Sequence, residues 1–145
     1  MNSPESEIIV ATLNIQGQSN LNIVKQIQIE DFLKYNNIDI LHLQEIEISS
    51  KTFDTCRFIS SNFNVIQNNS PVNKYGTATL VRNDLQVQNI KCDTEGRVIV
   101  FDIENVSFVN MYLHSGNNKE MRQSRDNYFC QVIPQMRVRR EDLRS

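Results

Sequence analysis

Two apolar segments that flank a helical pattern constrain this fold more than any other feature of the sequence. The first, residues 8–15, is rich in Ile and Val, and the second, residues 38–44, leads into Glu45. Residues 21–35 between them place apolar side chains at approximately helical spacing. A strand, a helix and a strand in that order favour parallel strands joined by a right-handed crossover. We therefore expect Asn14 and Glu45, at the two strand ends, to lie on one edge of a sheet.

The predicted helix is bounded by residues that favour helix ends. Ser19 or Asn20 can cap its start, because their side chains accept hydrogen bonds from the first free N–H groups. Asn36 and Asn37 can end it, because Asn tolerates the left-handed backbone conformation that a helix end requires.

The connectivity changes after this unit. The short connector Glu104-Asn105 predicts an antiparallel hairpin between its two flanking strands. Pro134 ends the last helical pattern. We therefore expect an α/β sheet of mixed strand direction. The further predicted elements are strands at 62–67, 77–82, 97–103 and 106–113, and a helix at 119–133.

Length and composition indicate one globular domain. The chain has 145 residues, of which 39% are hydrophobic and 22% charged, which excludes a disordered or low-complexity protein. No apolar run approaches the ~20 residues that span a bilayer. The first seven residues are polar and acidic, unlike a secretory signal. We expect no membrane association and an intracellular location, nuclear or cytoplasmic.

Cysteine and charge patterns point to no obvious ligand. Cys56, Cys92 and Cys130 are odd in number and lack metal-ligand spacing, so we interpret them as reduced, small buried residues. The net charge of -2 gives no global positive field that would attract nucleic acid. The stretch from Arg122 onward is locally basic, which is typical of a solvated tail.

Four segments of the sequence follow one another in a fixed order: residues 12–17, 41–46, 75–82, and 96–99 leading into 110–116. Together they resemble the endonuclease/exonuclease/phosphatase superfamily, which has the DNase I-like fold. Their order and spacing are most similar to the N-terminal half of the apurinic-endonuclease-like domain of LINE-type (non-LTR) retrotransposons. The resemblance implies a four-layer α/β sandwich, truncated here to about one mixed β-sheet with flanking helices. It implies a partial domain at residues 7–133 and a divergent basic tail at residues 134–145.

The resemblance implies Mg²⁺-dependent hydrolysis of a phosphodiester, with DNA as the partner. Glu45 matches the metal-binding glutamate, and Asn14 matches the asparagine beside the metal. Tyr112 matches the tyrosine whose hydroxyl contacts the scissile phosphate. These residue types suit the chemistry, because Mg²⁺ prefers oxygen ligands and a phenol can donate to a phosphate oxygen.

Each of these residues also has an ordinary structural interpretation. Asn14 can stabilise its own turn, Glu45 can be a solvated carboxylate, and Tyr112 can be a half-buried aromatic residue. His42 lies within a buried strand, where a packed imidazole is expected more than a ligand. His114 follows Tyr112 and is expected at the surface, with a substrate contact as the alternative.

The sequence lacks the motifs that the family places in its second half. These are a Gly-Asp-Phe-Asn-like segment and a terminal Ser-Asp-His segment. We therefore expect Glu45 to bind Mg²⁺ weakly and the chain alone to have no useful nuclease activity. We also expect a bare sheet face near Val98 and Val100, which would promote self-association. The alternatives are a non-catalytic interaction module that reuses half of the fold, and a phosphatase of small phosphorylated substrates.

Overall fold

A computed structural model of the chain describes residues 7–18, 21–71 and 75–113. Within these residues, seven strands and two helices follow one another along the chain. They are β1 (Val10–Gln18), α1 (Ile23–Tyr35), β2 (Ile40–Ile46), α2 (Arg57–Asn62), β3 (Phe63–Asn68), β4 (Gly76–Arg82), β5 (Val87–Cys92), β6 (Val98–Ile103) and β7 (Val106–Met111).

The described strands form two sheets rather than the single sheet expected from the sequence. The first sheet has the strand order β1-β2-β4-β3, in which β1 and β2 are parallel and the other neighbours antiparallel. The second sheet has the order β5-β6-β7 and is antiparallel throughout. The predicted parallel β-α-β unit and the predicted β6-β7 hairpin are therefore confirmed. The mixed α/β fold class is also confirmed.

The helices and the second sheet cover opposite faces of the first sheet. Ile29 and Leu33 of α1 pack with Leu41 and Leu43 of β2 in one hydrophobic core. Residues alternate in direction along a strand, so Ile40 of β2 faces the other way. It packs with the second sheet in a second core, whose other buried members are Val81, Ile99, Phe101 and Ile103. The described chain is thus a layer of helices on a sandwich of two sheets.

The start of α1 differs from the prediction, whereas its end agrees with it. The N-cap is Asn22, whose Oδ1 accepts a hydrogen bond from the Lys25 N–H at 2.8 Å, so the expected cap at Ser19 or Asn20 is wrong. Asn22 is the residue directly before the first helical turn, where a capping side chain reaches the free N–H groups. At the other end Asn37 adopts the left-handed conformation, with φ of 52°, as predicted.

The expected bare sheet face at Val98 and Val100 is wrong. These side chains are only 2% and 6% exposed. The face of β6 that meets the first sheet carries Ile99, Phe101 and Ile103 instead, because side chains alternate along a strand. That face is not bare, since it packs against Ile40 and Val81 of the first sheet.

Two elements were not predicted, and some predictions lie outside the described residues. The missed elements are α2 and β5. Cys56 is buried as expected, but Cys92 is exposed because it ends the edge strand β5. Neither described helix is long and apolar enough to cross a membrane. The predicted helix at 119–133, the boundary at residue 133, Cys130 and His114 lie outside the described residues.

Candidate active site

The rim of the first sheet carries two non-glycine residues in a left-handed backbone conformation. The register of β2 with both neighbours shifts between Gln44 and Ile46, which makes Glu45 a bulged residue with φ of 54°. The register of β1 shifts between Asn14 and Gln18, and Gln16 there has φ of 63°. Such conformations are costly for residues with a Cβ, and bulges of this kind often redirect a side chain next to an active site.

The three residues singled out from the sequence line one open cavity of about 640 Å³. Asn14 lies on β1, Glu45 on the neighbouring parallel strand β2, and Tyr112 directly after β7 of the second sheet. The expected proximity of Asn14 and Glu45 is confirmed by the pairing of Asn14 with Gln44. The cavity lies where the two sheets meet, and its other lining residues are Gln16, Gln44, Met111 and Leu113.

A hydrogen bond between the two sheets joins Tyr112 to Glu45. The Tyr112 hydroxyl donates to Glu45 Oε1 at 2.5 Å. Burial, together with the hydrogen bond and the negative charge of Glu45, raises the pKa of Tyr112 to about 12, and the charge of Arg97 opposes this effect. The phenol keeps its proton at neutral pH, as an unperturbed phenol does, and it donates that proton to Glu45 at the cavity wall.

Asn14 stabilises its own turn. Its Oδ1 accepts a hydrogen bond from the Gln16 N–H at 2.8 Å, the local pattern typical of an Asn side chain at a turn. This confirms the structural interpretation of Asn14. Asn14 Oδ1 can still accept a second interaction, because a carbonyl oxygen has two lone pairs. Asn14 also lines the cavity. The catalytic or metal-binding role of Asn14, like those of Glu45 and Tyr112, stays a prediction.

A network of polar side chains extends from Gln44 in the cavity wall into the space behind it, and all of its members except Thr12 are buried. Gln44 Nε2 donates to Thr12 Oγ1 at 2.8 Å and to Asn110 Oδ1 at 2.9 Å. Asn110 Nδ2 in turn lies 3.0 Å from Thr79 Oγ1, and Thr79 Oγ1 lies 3.0 Å from His42 Nδ1. Sequence reasoning missed this network. The available signal was Asn110 in strand β7, whose only other polar residue is Ser107. A buried amide needs hydrogen-bond partners.

His42 belongs to this network and is a core residue, as predicted. It is 6% exposed, its Nδ1 is hydrogen-bonded to Thr79, and its ring lies 6.1 Å from that of Phe101. Burial lowers the pKa of His42 from 6.5 to about 4, so the ring is neutral at neutral pH.

The cavity offers few ligands for a metal ion. Among the described residues, no three His, Cys, Asp or Glu side chains lie close enough together to hold one. Glu45 contributes a carboxylate and Asn14 an amide oxygen, both of the hard type that Mg²⁺ prefers. Because Mg²⁺ commonly keeps several waters, such a donor set fits a weakly held, largely hydrated ion.

Comparisons with solved structures agree with this architecture. No family model matches the chain, and no curated protein matches it. The fold is similar to that of TDP2 from Caenorhabditis elegans, with a TM-score of 0.59 and 19% identity over 95% of this chain and 49% of that chain. It is similar to an AP endonuclease from Archaeoglobus fulgidus, with a TM-score of 0.62 and 18% identity over 87% of this chain and 49% of that chain.

A third similar structure is TDP2 from D. rerio complexed with a single-strand DNA product. Its TM-score is 0.55, with 16% identity over 88% of this chain and 54% of that chain. These likenesses show that the chain has the DNase I-like fold. The chain spans about half the length of the solved structures it matches.

Proposed function

We propose that this chain contributes the magnesium- and phosphate-binding rim of a phosphodiester-cleaving endonuclease of the LINE retrotransposon type. The observation that carries the proposal is the convergence of Asn14, Glu45 and Tyr112, from two different sheets, on one open cavity. The names of the similar structures support DNA as the substrate class, since they include an AP endonuclease and a TDP2 with a DNA product. The four ordered sequence segments support the retrotransposon type.

Each residue has a role that its chemistry permits. The Glu45 carboxylate and the Asn14 amide oxygen hold the metal, and Tyr112 donates its hydroxyl to a phosphate oxygen. When bound, Mg²⁺ neutralises charge that develops on the phosphate. Like any phenol, Tyr112 is protonated over the neutral range, as this donor role requires. Glu45 accepts this hydrogen bond in the structure, and a substrate phosphate would compete for it.

We further propose that the 145-residue polypeptide turns over slowly by itself. One carboxylate and one amide make a poor magnesium site, and the described residues around the cavity include no His or second acidic residue that could act as a base. Loss of a general base alone lowers an enzymatic rate by about 10²–10⁴-fold. Weak metal binding lowers the rate further, so we expect cleavage close to background.

A plasmid-nicking assay in Mg²⁺ tests the role of Glu45. We expect the unsubstituted chain to nick supercoiled DNA barely above background, and Glu45→Ala to remove what remains. Glu47→Ala is a matched control, since Glu47 is the first residue after β2 and does not line the cavity. Equal, measurable nicking by the unsubstituted chain and Glu45→Ala would remove Glu45 from the proposed site. Rapid nicking by the chain alone would contradict its proposed inactivity.

The retrotransposon assignment has its own test. The transcript beyond the codon of Ser145 should encode, in some frame, the Gly-Asp-Phe-Asn-like and Ser-Asp-His-like segments. Their absence over a domain's length of transcript would contradict the assignment to this family branch, whatever the nicking assay shows.

The alternative function is a non-catalytic interaction module. Large apolar side chains are exposed on and just before β1 and on β7, which among the described strands are edge strands of the two sheets. Exposed apolar edge strands favour association with another chain or with a second copy. Binding or self-association that survives Glu45→Ala, together with no magnesium binding, would favour this alternative. The exposed side chains are Ile8, Ile9, Val10, Val106, Val109 and Met111.

A further inference from the structure

The side-chain amide of Asn110 crosses the space between the two sheets. It is 1% exposed and lies on β7, yet each side-chain hydrogen bond that it makes with the described residues reaches the first sheet. Its Oδ1 accepts from Gln44 Nε2 at 2.9 Å, and its Nδ2 lies 3.2 Å from the Leu43 carbonyl oxygen. The same Nδ2 lies 2.9 Å from the Ala78 carbonyl oxygen and 3.0 Å from Thr79 Oγ1. An amide with this many partners fixes one position of β7 relative to β2 and β4.

These contacts lie immediately next to the site residues along the chain. Gln44 directly precedes Glu45, and Asn110 lies two positions before Tyr112. The hydrogen bond between Tyr112 and Glu45 therefore joins the end of β7 to β2, next to the bond between Asn110 and Gln44 and one step nearer the solvent. Hydrogen bonds tolerate only a few tenths of an ångström in length. A small displacement of β7 along β2 would accordingly break the outer bond.

The network also reaches the third strand of the site. Gln44 Nε2 donates its other proton to Thr12 Oγ1, and Thr12 lies two positions before Asn14 on β1. Gln44 thus links the position of β1 to that of β7. The packing between the sheets around this network is largely aliphatic and aromatic, and such contacts are not directional. The amides supply the directional restraint that the hydrophobic contacts lack.

We propose that Asn110 is a positioning residue of the candidate site, and that its amide holds β7 at the place where the Tyr112 hydroxyl reaches the Glu45 carboxylate. Asn110 does not touch the cavity and acts through Gln44. The inference deepens the proposed function, because it concerns the same site. Its test requires neither Mg²⁺ nor DNA, so the inference and the proposed function can fail separately.

The hydroxyl proton of Tyr112 reports the geometry directly. A hydroxyl that donates to a carboxylate exchanges with water more slowly than a free one, and NMR of tyrosine-labelled protein measures that exchange. Tyr112→Phe identifies the signal among the 4 tyrosines. In Asn110→Leu we expect exchange faster by about tenfold or more, which corresponds to ~1.4 kcal/mol. Amide spectra of each variant show whether it is folded.

Two further variants make the result decisive. Gln44→Met removes the bonds of Gln44 to Asn110 and Thr12 but leaves Asn110 bonded to β4, and we expect the same acceleration. Thr79→Val is the matched control, since it removes a buried hydrogen bond of Asn110 without removing its link to Gln44. We expect it to keep slow exchange. Unchanged exchange in folded Asn110→Leu or Gln44→Met, equal acceleration in Thr79→Val, or failure of both test variants to fold would overturn the proposal.

Discussion

The buried imidazole of His42 makes the stability of the fold depend on pH. The folded protein holds the ring neutral, with a pKa of about 4 against 6.5 for a free imidazole, because burial penalises the charged form. Between these pH values the unfolded chain binds a proton that the folded chain does not. The contribution of the neutral His42 ring to the free energy of unfolding is therefore fully present above pH 6.5, and it is lost as the pH falls towards 4. At ~1.4 kcal/mol for each pH unit, the loss is about 3 kcal/mol.

Urea unfolding between pH 4 and pH 7 measures this dependence. Carboxylates also titrate in this range, so the informative quantity is the difference between the unsubstituted chain and His42→Leu. We expect the unsubstituted chain to lose about 3 kcal/mol more of its free energy of unfolding than the variant. His114→Ala is the matched control, because it removes the chain's other histidine and should leave the contribution of His42 in place. Parallel curves for the unsubstituted chain and His42→Leu would refute the reasoning.

Two smaller predictions concern the backbone. Gly96→Ala should lower the free energy of unfolding by about 2 kcal/mol or more, because Gly96 has φ of +76° and an added Cβ would lie 2.6 Å from Ser70 Cα and N. Urea unfolding checks it, and an unchanged midpoint would show that the loop at Ser70 moves freely. Asn22→Ala should cost about 1 kcal/mol by removing the cap on the Lys25 N–H. Thermal unfolding checks this second prediction, and no loss of stability would show that water replaces the cap.

The parts of the fold that local patterns determine were predictable from the sequence. Apolar strands around a helical pattern predicted β1, α1 and β2, and the connector Glu104-Asn105 predicted the hairpin of β6 and β7. The missed elements lack such patterns. α2 has six residues and no side-chain cap, and β5 is an edge strand that presents almost no buried face. The position of α2 is fixed by the burial of Ile59 in the first core, and that of β5 by its backbone pairing with β6.

The candidate site was predictable in part for the same reason. Parallel strands place their ends on one edge, so the proximity of Asn14 and Glu45 followed from the order of elements. The contact between Glu45 and Tyr112 did not, because it joins two sheets whose packing no local pattern specifies. The hydrogen-bond partners of Asn110 could not be predicted from local patterns either, since they lie 31 to 67 positions away along the chain.

The central claim is that the bulged rim of the first sheet binds a divalent cation through Glu45. A Mg²⁺ titration followed by amide NMR tests it most directly, with Glu45→Gln compared with Glu47→Gln. We predict weak, saturable shifts centred on Asn14, Glu45 and Tyr112, which Glu45→Gln removes and Glu47→Gln retains. Shifts of the same size and place in Glu45→Gln, or none in the unsubstituted chain at any Mg²⁺ concentration, would contradict the account.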